Sequence, residues 1–239
     1  MGVSGGPNAI QDGLVLALDA TDQNSYVTGS TTWRDLLDTY SGSLFQSSSF
    51  TLGPPQAFVN NINSYQSQSG YLTVSPTLTF NDLSTYTLDF WVKLRTGGGV
   101  DVLNSLVGRN ATFPWIMVDM GSTDGSIWTI RFREGTVGTY YIFNTITDYN
   151  ISSNWTNITL TADASRNISF YLNGAFRQTL NVTTSTQMII SRIMGGYQSL
   201  QNFYSLQGSM AAAKFYSRVL SILEIQQNYN AQKSRFGLK

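Results

Sequence analysis

Period-two alternation in short runs constrains this chain more than any other feature. In "TYTLDFWVKL", Tyr86, Leu88, Phe90, Val92 and Leu94 fall on one face, and Thr87, Asp89, Trp91 and Lys93 on the other. Successive side chains of a strand point to opposite faces, so the pattern predicts a strand with one apolar side. "SIWTIRFR" repeats it, setting Trp128, Ile130 and Phe132 against Thr129, Arg131 and Arg133. "NWTNITLTAD" and "NISFYLNGAFRQTL" read as a hairpin pair. Ile168, Phe170 and Leu172 face inward there, and Asn173-Gly174 makes a two-residue turn. "GLVLALDA" is apolar almost throughout, which predicts burial on both sides. "MIISRIMGG" and "GSMAAAKFYSRVL" complete the strands. "DQNSYVTGSTTWRDLLDTYSG" reads as a long loop anchored by Trp33 and Leu36 over one end of the core. Proline is scarce and sits in loops, except Pro114, which suits an edge or bulge.

The period changes at the C-terminus. Ser221 and Glu224 have the spacing of a capping box. Ile222, Ile225 and Tyr229, with Leu223 alongside, make an apolar stripe at helical steps. Gln226, Gln227, Asn228 and Asn230 take the other face. Lys233 and Arg235 lie where cations suit the helix dipole, and Gly237 suits a stop. A helix over 221–232 is expected, seated on the strands through its stripe. Residues 1–11, with three glycines and a proline, read as a flexible arm. Residues 12–239 read as one domain, an all-β antiparallel sandwich of two sheets with one short C-terminal helix.

The composition removes whole classes of chemistry. With no cysteine and no histidine, disulfides, thiolate or imidazole zinc sites, and Ser-His-Asp or Cys-His catalysis are excluded. Formal net charge is zero and only 12% of residues are charged, so the basic footprint that nucleic acid requires is lacking. No apolar run reaches the length of a membrane span. The first residues have neither the basic nor the apolar region of a signal peptide. Asn-x-Ser/Thr triplets at Asn110, Asn154, Asn157 and Asn181 are what chance yields in so Asn- and Thr-rich a chain. A compact fold of this length buries about 70% of its surface, enough for a core without staples.

Together, "GLVLALDATDQNSY", "TTWRDL", "YTLDFWVKL", the "NWTNITLTAD…FYLNG" hairpin and "GSMAAAKFYSRVLSILEIQQNYNAQKSRFG" resemble the concanavalin A-like lectin/glucanase (LamG-like) jelly roll. They are most similar to the version in virion proteins of marine and cyanobacterial tailed phages, over about residues 12–238. The closing Tyr-x-Arg-x-Leu-Ser, Glu-Ile helix and Arg-Phe-Gly are the most specific part. The resemblance implies a jelly-roll sandwich on a virion surface, made in the host cytoplasm. Its partners would be other capsid or tail proteins, a cell-surface glycan, or further copies of itself. A non-enzymatic head-decoration module is the first reading, and a receptor-binding lectin at a tail or fibre tip the second.

Glycoside hydrolysis is disfavoured, because the Glu-x-Asp-x-x-Glu strand motif is absent and Glu134 and Glu224 are the only glutamates. No cofactor is expected. Asp119 and Asp124 share one Gly-rich loop that could hold calcium, but an ordinary Asp-Gly turn is the favoured reading. For a sugar, Trp115 and Tyr197 beside loops are the aromatic candidates, with Trp91 outward between Asp89 and Lys93 as a third. Covering packing, with Asp89 paired across strands to a neighbour such as Arg131, is the favoured reading of Trp91. Trp33, Trp128 and Trp155 are assigned to packing, Asp163 to a hairpin turn, and Arg218 to a tie across the strand–helix corner.

Overall fold

The computed structural model describes residues 9–27, 29–45, 48–51, 57–60, 71–94, 103–109, 115–120, 128–134, 139–146, 154–183, 185–199, 202–206 and 208–239. In chain order the strands are β1 Leu14–Asp19, β2 Thr32–Arg34, β3 Ser41–Phe45, β4 Ser48–Thr51, β5 Ala57–Asn60, β6 Tyr71–Phe80, β7 Tyr86–Leu94, β8 Leu103–Gly108 and β9 Trp115–Met120. They continue with β10 Trp128–Glu134, β11 Thr139–Ile146, β12 Thr156–Ala162, β13 Asn167–Leu172, β14 Ala175–Asn181, β15 Met188–Ile193, β16 Gly195–Ser199, β17 Asn202–Ser205 and β18 Gly208–Tyr216. Helix α1 runs Ile222–Gln232, followed by a 3-10 turn, Lys233–Phe236.

Two antiparallel sheets form the jelly-roll sandwich. The first has the order β14-β13-β12-β7-β18-β5-β4, with β1 also paired to β18. The second has the order β11-β10-β9-β8-β15-β6-β3-β2, and β16 and β17 make a separate ribbon. Core side chains come from both: Leu88, Phe90, Ile158 and Phe215 from one sheet, Leu72, Ile130, Phe132 and Ile190 from the other. The five apolar residues of β7 all lie in this core, as their alternation requires. Phe90 meets Phe215 edge-on at 5.4 Å. Asn173 and Gly174 both have positive φ, the geometry of the two-residue turn expected there. Asp163 closes the β12–β13 turn by accepting from the backbone N–H groups of Ser165 and Asn167.

Three expectations change. Pro76 lies inside β6, not in a loop, where the pairing with β15 shifts register between Ile190 and Arg192. Proline gives no N–H to a ladder, and a register shift needs none at that point. The long segment after β1 contributes β2 and the start of β3. It is gathered by Asp35, whose carboxylate accepts from the N–H groups of Ala17, Leu37, Thr39 and Tyr40. Trp33 is buried as expected, while Leu36 is only half-buried. Helix α1 is present and its capping box is complete. Of the apolar stripe, Ile225 is buried with Tyr216 and Leu220, and Tyr229 packs on Trp91, but Ile222 is 45% exposed and Leu223 73%, so only its later half is the seat. The buried line is Ile225, Asn228 and Gln232, with Tyr229 half-buried. The surface beneath α1 is mixed: apolar groups meet Ile225 and Tyr229, and Asn228 turns its amide to the Tyr216 hydroxyl. Gly237 is the stop, left-handed at φ +72, one 3-10 turn later than the α-helix end.

Candidate functional site

Of the residues singled out for binding, Trp115 and Asp119 lie in β9 and Tyr197 in β16. Asp124 and the rest of its loop, 121–127, fall outside the described residues, as does Pro114. In β9, Val118 and Ile116 pair with Ile130 and Phe132 of the core, so Trp115 and Asp119 occupy the alternate register positions. β9 pairs with one edge of β8. The β16–β17 ribbon follows β15, which pairs with the other edge of β8. β9, bearing Trp115 and Asp119, is thus paired to β8, while β16, bearing Tyr197, lies in a separate ribbon that follows β15.

Trp91 is fully buried, and the packing reading of it holds. Phe236 stacks on its indole at 4.0 Å between ring centres, and Tyr229 lies parallel at 5.7 Å. Trp155 also packs on Phe236, tilted, at 5.2 Å. Asp89 does not pair with Arg131, because Arg131 belongs to the opposite sheet. Its carboxylate accepts from Asn157 Nδ2 at 2.6 Å and Thr159 Oγ1 at 2.9 Å. Burial pushes its carboxyl above the usual range against these bonds and the Lys214 charge, and burial likewise lowers Lys214. Arg235, in the last 3-10 turn, reaches Asp19 with two bonds, at 2.6 and 2.8 Å. Burial would raise Asp19, but the Arg235 bonds outweigh it and hold the carboxyl low.

Asn228 gathers three segments. It accepts from Ile10 N–H and donates to the Tyr216 hydroxyl, which in turn donates to the Ile10 carbonyl. The segment read as an arm is thus engaged from Ile10 onward. Arg218 is the corner tie expected of it. Its guanidinium grips Glu224 bidentately at 2.7 and 3.0 Å and meets Asp12 at 2.8 Å. Hydrogen bonding to Arg218 lowers Glu224 to about 2.

A surface depression of about 300 Å³ opens at one end of the sandwich, between Leu83, Ser165, Arg166, Asn181, Val182 and Thr183. Leu83 is half-exposed and Val182 buried, so an apolar edge stands beside amide and hydroxyl groups. Arg166 is joined to Asp82 at 2.5 Å, and its bond holds that carboxyl well below the usual range. The Tyr141 hydroxyl accepts from Thr183 N–H and bonds its Oγ1, fixing the far wall. Sequence reasoning missed this place, since its residues come from three loops with no shared period.

A family model described as the concanavalin A-like lectin/glucanases superfamily matches residues 66–226. The chain belongs to that superfamily. No curated protein matches it in sequence. Among solved structures, the superfamily fold aligns with the binding domain of Paraclostridial Mosquitocidal Protein 1. The TM-score is 0.64 at 16% identity, covering 95% of this chain and 55% of that one. A botulinum neurotoxin type C structure, from work on cell entry through two ganglioside molecules, aligns at TM-score 0.56 and 13% identity, covering 92% and 51%. A Trypanosoma rangeli sialidase mutant aligns at 0.59 and 14%, covering 95% and 34%. The chain spans about half the length of the toxin domains. At these identities the likeness concerns the lectin-like fold alone.

Proposed function

We propose that this chain is a non-enzymatic, lectin-like module displayed on a tailed-phage particle as head decoration, whose rim depression takes one neutral saccharide unit of a cell-surface glycan. The rim depression on a lectin-like fold carries the reading. Asp19, Asp35, Asp82, Asp89, Asp163 and Glu224 each hold groups of the fold itself, which removes these six from the pair of carboxylates that glycoside hydrolysis would need. The depression offers Leu83 to the apolar face of a sugar ring and Asn181 and Thr183 to its hydroxyls. Asp82 already answers the Arg166 charge, which favours a neutral sugar over an acidic one.

Placement on a particle rests on the resemblance of the Tyr216–Gly237 corner to phage virion modules, with the residues before Ile10 as the tether. Receptor binding at a tail tip is the second reading, favoured by the toxin binding domains that share the fold. A glycan array tests the saccharide. The full chain should retain a neutral glycan, and Leu83→Asp, at an exposed left-handed position that aspartate tolerates, should abolish retention with the fold intact. Retention unchanged in Leu83→Asp, or none in the wild type, would refute the site. Imaging the particle separates head from tail.

A further inference from the structure

Lys214 of β18 and Asp89 of β7 are direct cross-strand partners, and both are buried, at 3% and 4% exposure. The side chains of such a pair leave the sheet on one face with Cβ atoms about 4.5–5.5 Å apart, a gap that the four-carbon lysine stem spans. Neither residue serves the rim depression, which lies among other residues.

On its β12 side the Asp89 carboxyl is fixed. Asn157 Nδ2 and Thr159 Oγ1 both donate to the same oxygen, Oδ1, at 2.6 and 2.9 Å. Two donors aimed at one carboxyl oxygen stabilise the charge that gathers there when a nucleophile adds to the carbon. Lys214 stands on the opposite side of β7, in β18. Burial holds its amine toward the neutral, nucleophilic form and the Asp89 carboxyl toward the acid. A neutral amine and a carboxylic acid are the forms that condense to an amide. The Lys214 amine holds no hydrogen bond among the described residues, so its stem turns toward Asp89 Cγ without breaking one.

We propose that Lys214 and Asp89 condense into an intramolecular isopeptide bond that staples β18 to β7. Nζ adds to Cγ, and Oδ1 takes the charge between Asn157 and Thr159. The Cγ–Oδ2 bond then breaks, and Oδ2 leaves as water with its own acid proton and one proton of the amine. The step consumes no oxidant or co-reactant. The sheet holds both groups in register, so the condensation has the advantage of an intramolecular reaction. Its product is uncharged, which removes the cost of burying an ammonium and a carboxylate together. The bond ties β7, in the middle of the first sheet, to the strand that leads into α1.

Mass spectrometry of the purified full chain under denaturing conditions tests this, joined to peptide mapping. The chain should be lighter than its sequence requires by one water. Proteolysis should release the Asp89 and Lys214 peptides as one branched species. Lys214→Arg and Asp89→Ala should each restore the water and give linear peptides. A full-length mass with nothing lost, linear Asp89 and Lys214 peptides in the wild type, or loss of ammonia in place of water would overturn the proposal. So would a lost water traced to a succinimide at Asp124-Gly125. The wild-type peptides decide, so a variant that fails to fold leaves the test standing.

Discussion

The two faces of the first sheet are buried almost equally and by different means. Its inner face carries Leu88, Phe90, Ile158, Leu160 and Phe215 against the second sheet. Its outer face carries Asp19, Thr87, Asp89, Asn157, Thr159 and Lys214, each under a tenth exposed. The inner face is held by area removed from water and by packing. The outer face is held by hydrogen bonds and charge pairing beside an aromatic stack, under α1 with Ile225, Asn228 and Gln232 and the 3-10 turn with Phe236. The difference teaches that alternation reports which face is apolar, not which face is dry.

The two modes of burial should break differently. Phe90→Ala leaves a cavity in the inner face and should cost about 3–5 kcal/mol, read from urea unfolding. On the outer face, Arg235→Ala strands the buried Asp19 carboxylate. It should cost about 3 kcal/mol, the low end for a broken buried pair because the guanidinium is partly open. Replacing both, as Asp19→Leu with Arg235→Met, should return much of that loss, whereas no polar rescue exists for Phe90. Ser221→Ala removes the helix cap and should cost about 0.5–2 kcal/mol, with the loss confined to α1.

Acid should have the smallest effect, on α1 through its cap. Glu224 has its folded pKa depressed from 4.5 to about 2. Its contribution is therefore complete above about pH 4.5 and is lost as pH falls toward 2. Helical circular dichroism should decline over that window, and an equal loss in Glu224→Gln would show that another group is responsible.

The inner face was legible because β-strand period and burial coincide there. Each apolar position of β7, Ile168, Phe170 and Leu172 is where alternation puts it. The capping box and the Asn173-Gly174 turn were legible because each is a local signal with one geometry. The helix seat was not, since Asn228 and Gln232 look like solvent residues until a polar sheet face is known to lie beneath them. Gly174 shows the same limit. Its turn was predictable, but not that a Cβ there would come within 3.1 Å of Tyr229, 55 residues later. The rim depression joins loops that only the closed sandwich brings together.

The central claim is that the outer face is a second interior, closed by α1 and the turn that follows. Amide hydrogen exchange across 225–232 in the intact chain tests it most directly. A helix of eleven residues is marginal alone in water, so protection must come from its seat. The account predicts slow exchange at Ile225, Asn228, Tyr229 and Gln232, approaching that of β7 and β18, and lost in Phe236→Ala while β7 stays protected. Free exchange of these amides in the wild type would contradict it, and would leave the polar face of the first sheet open to water.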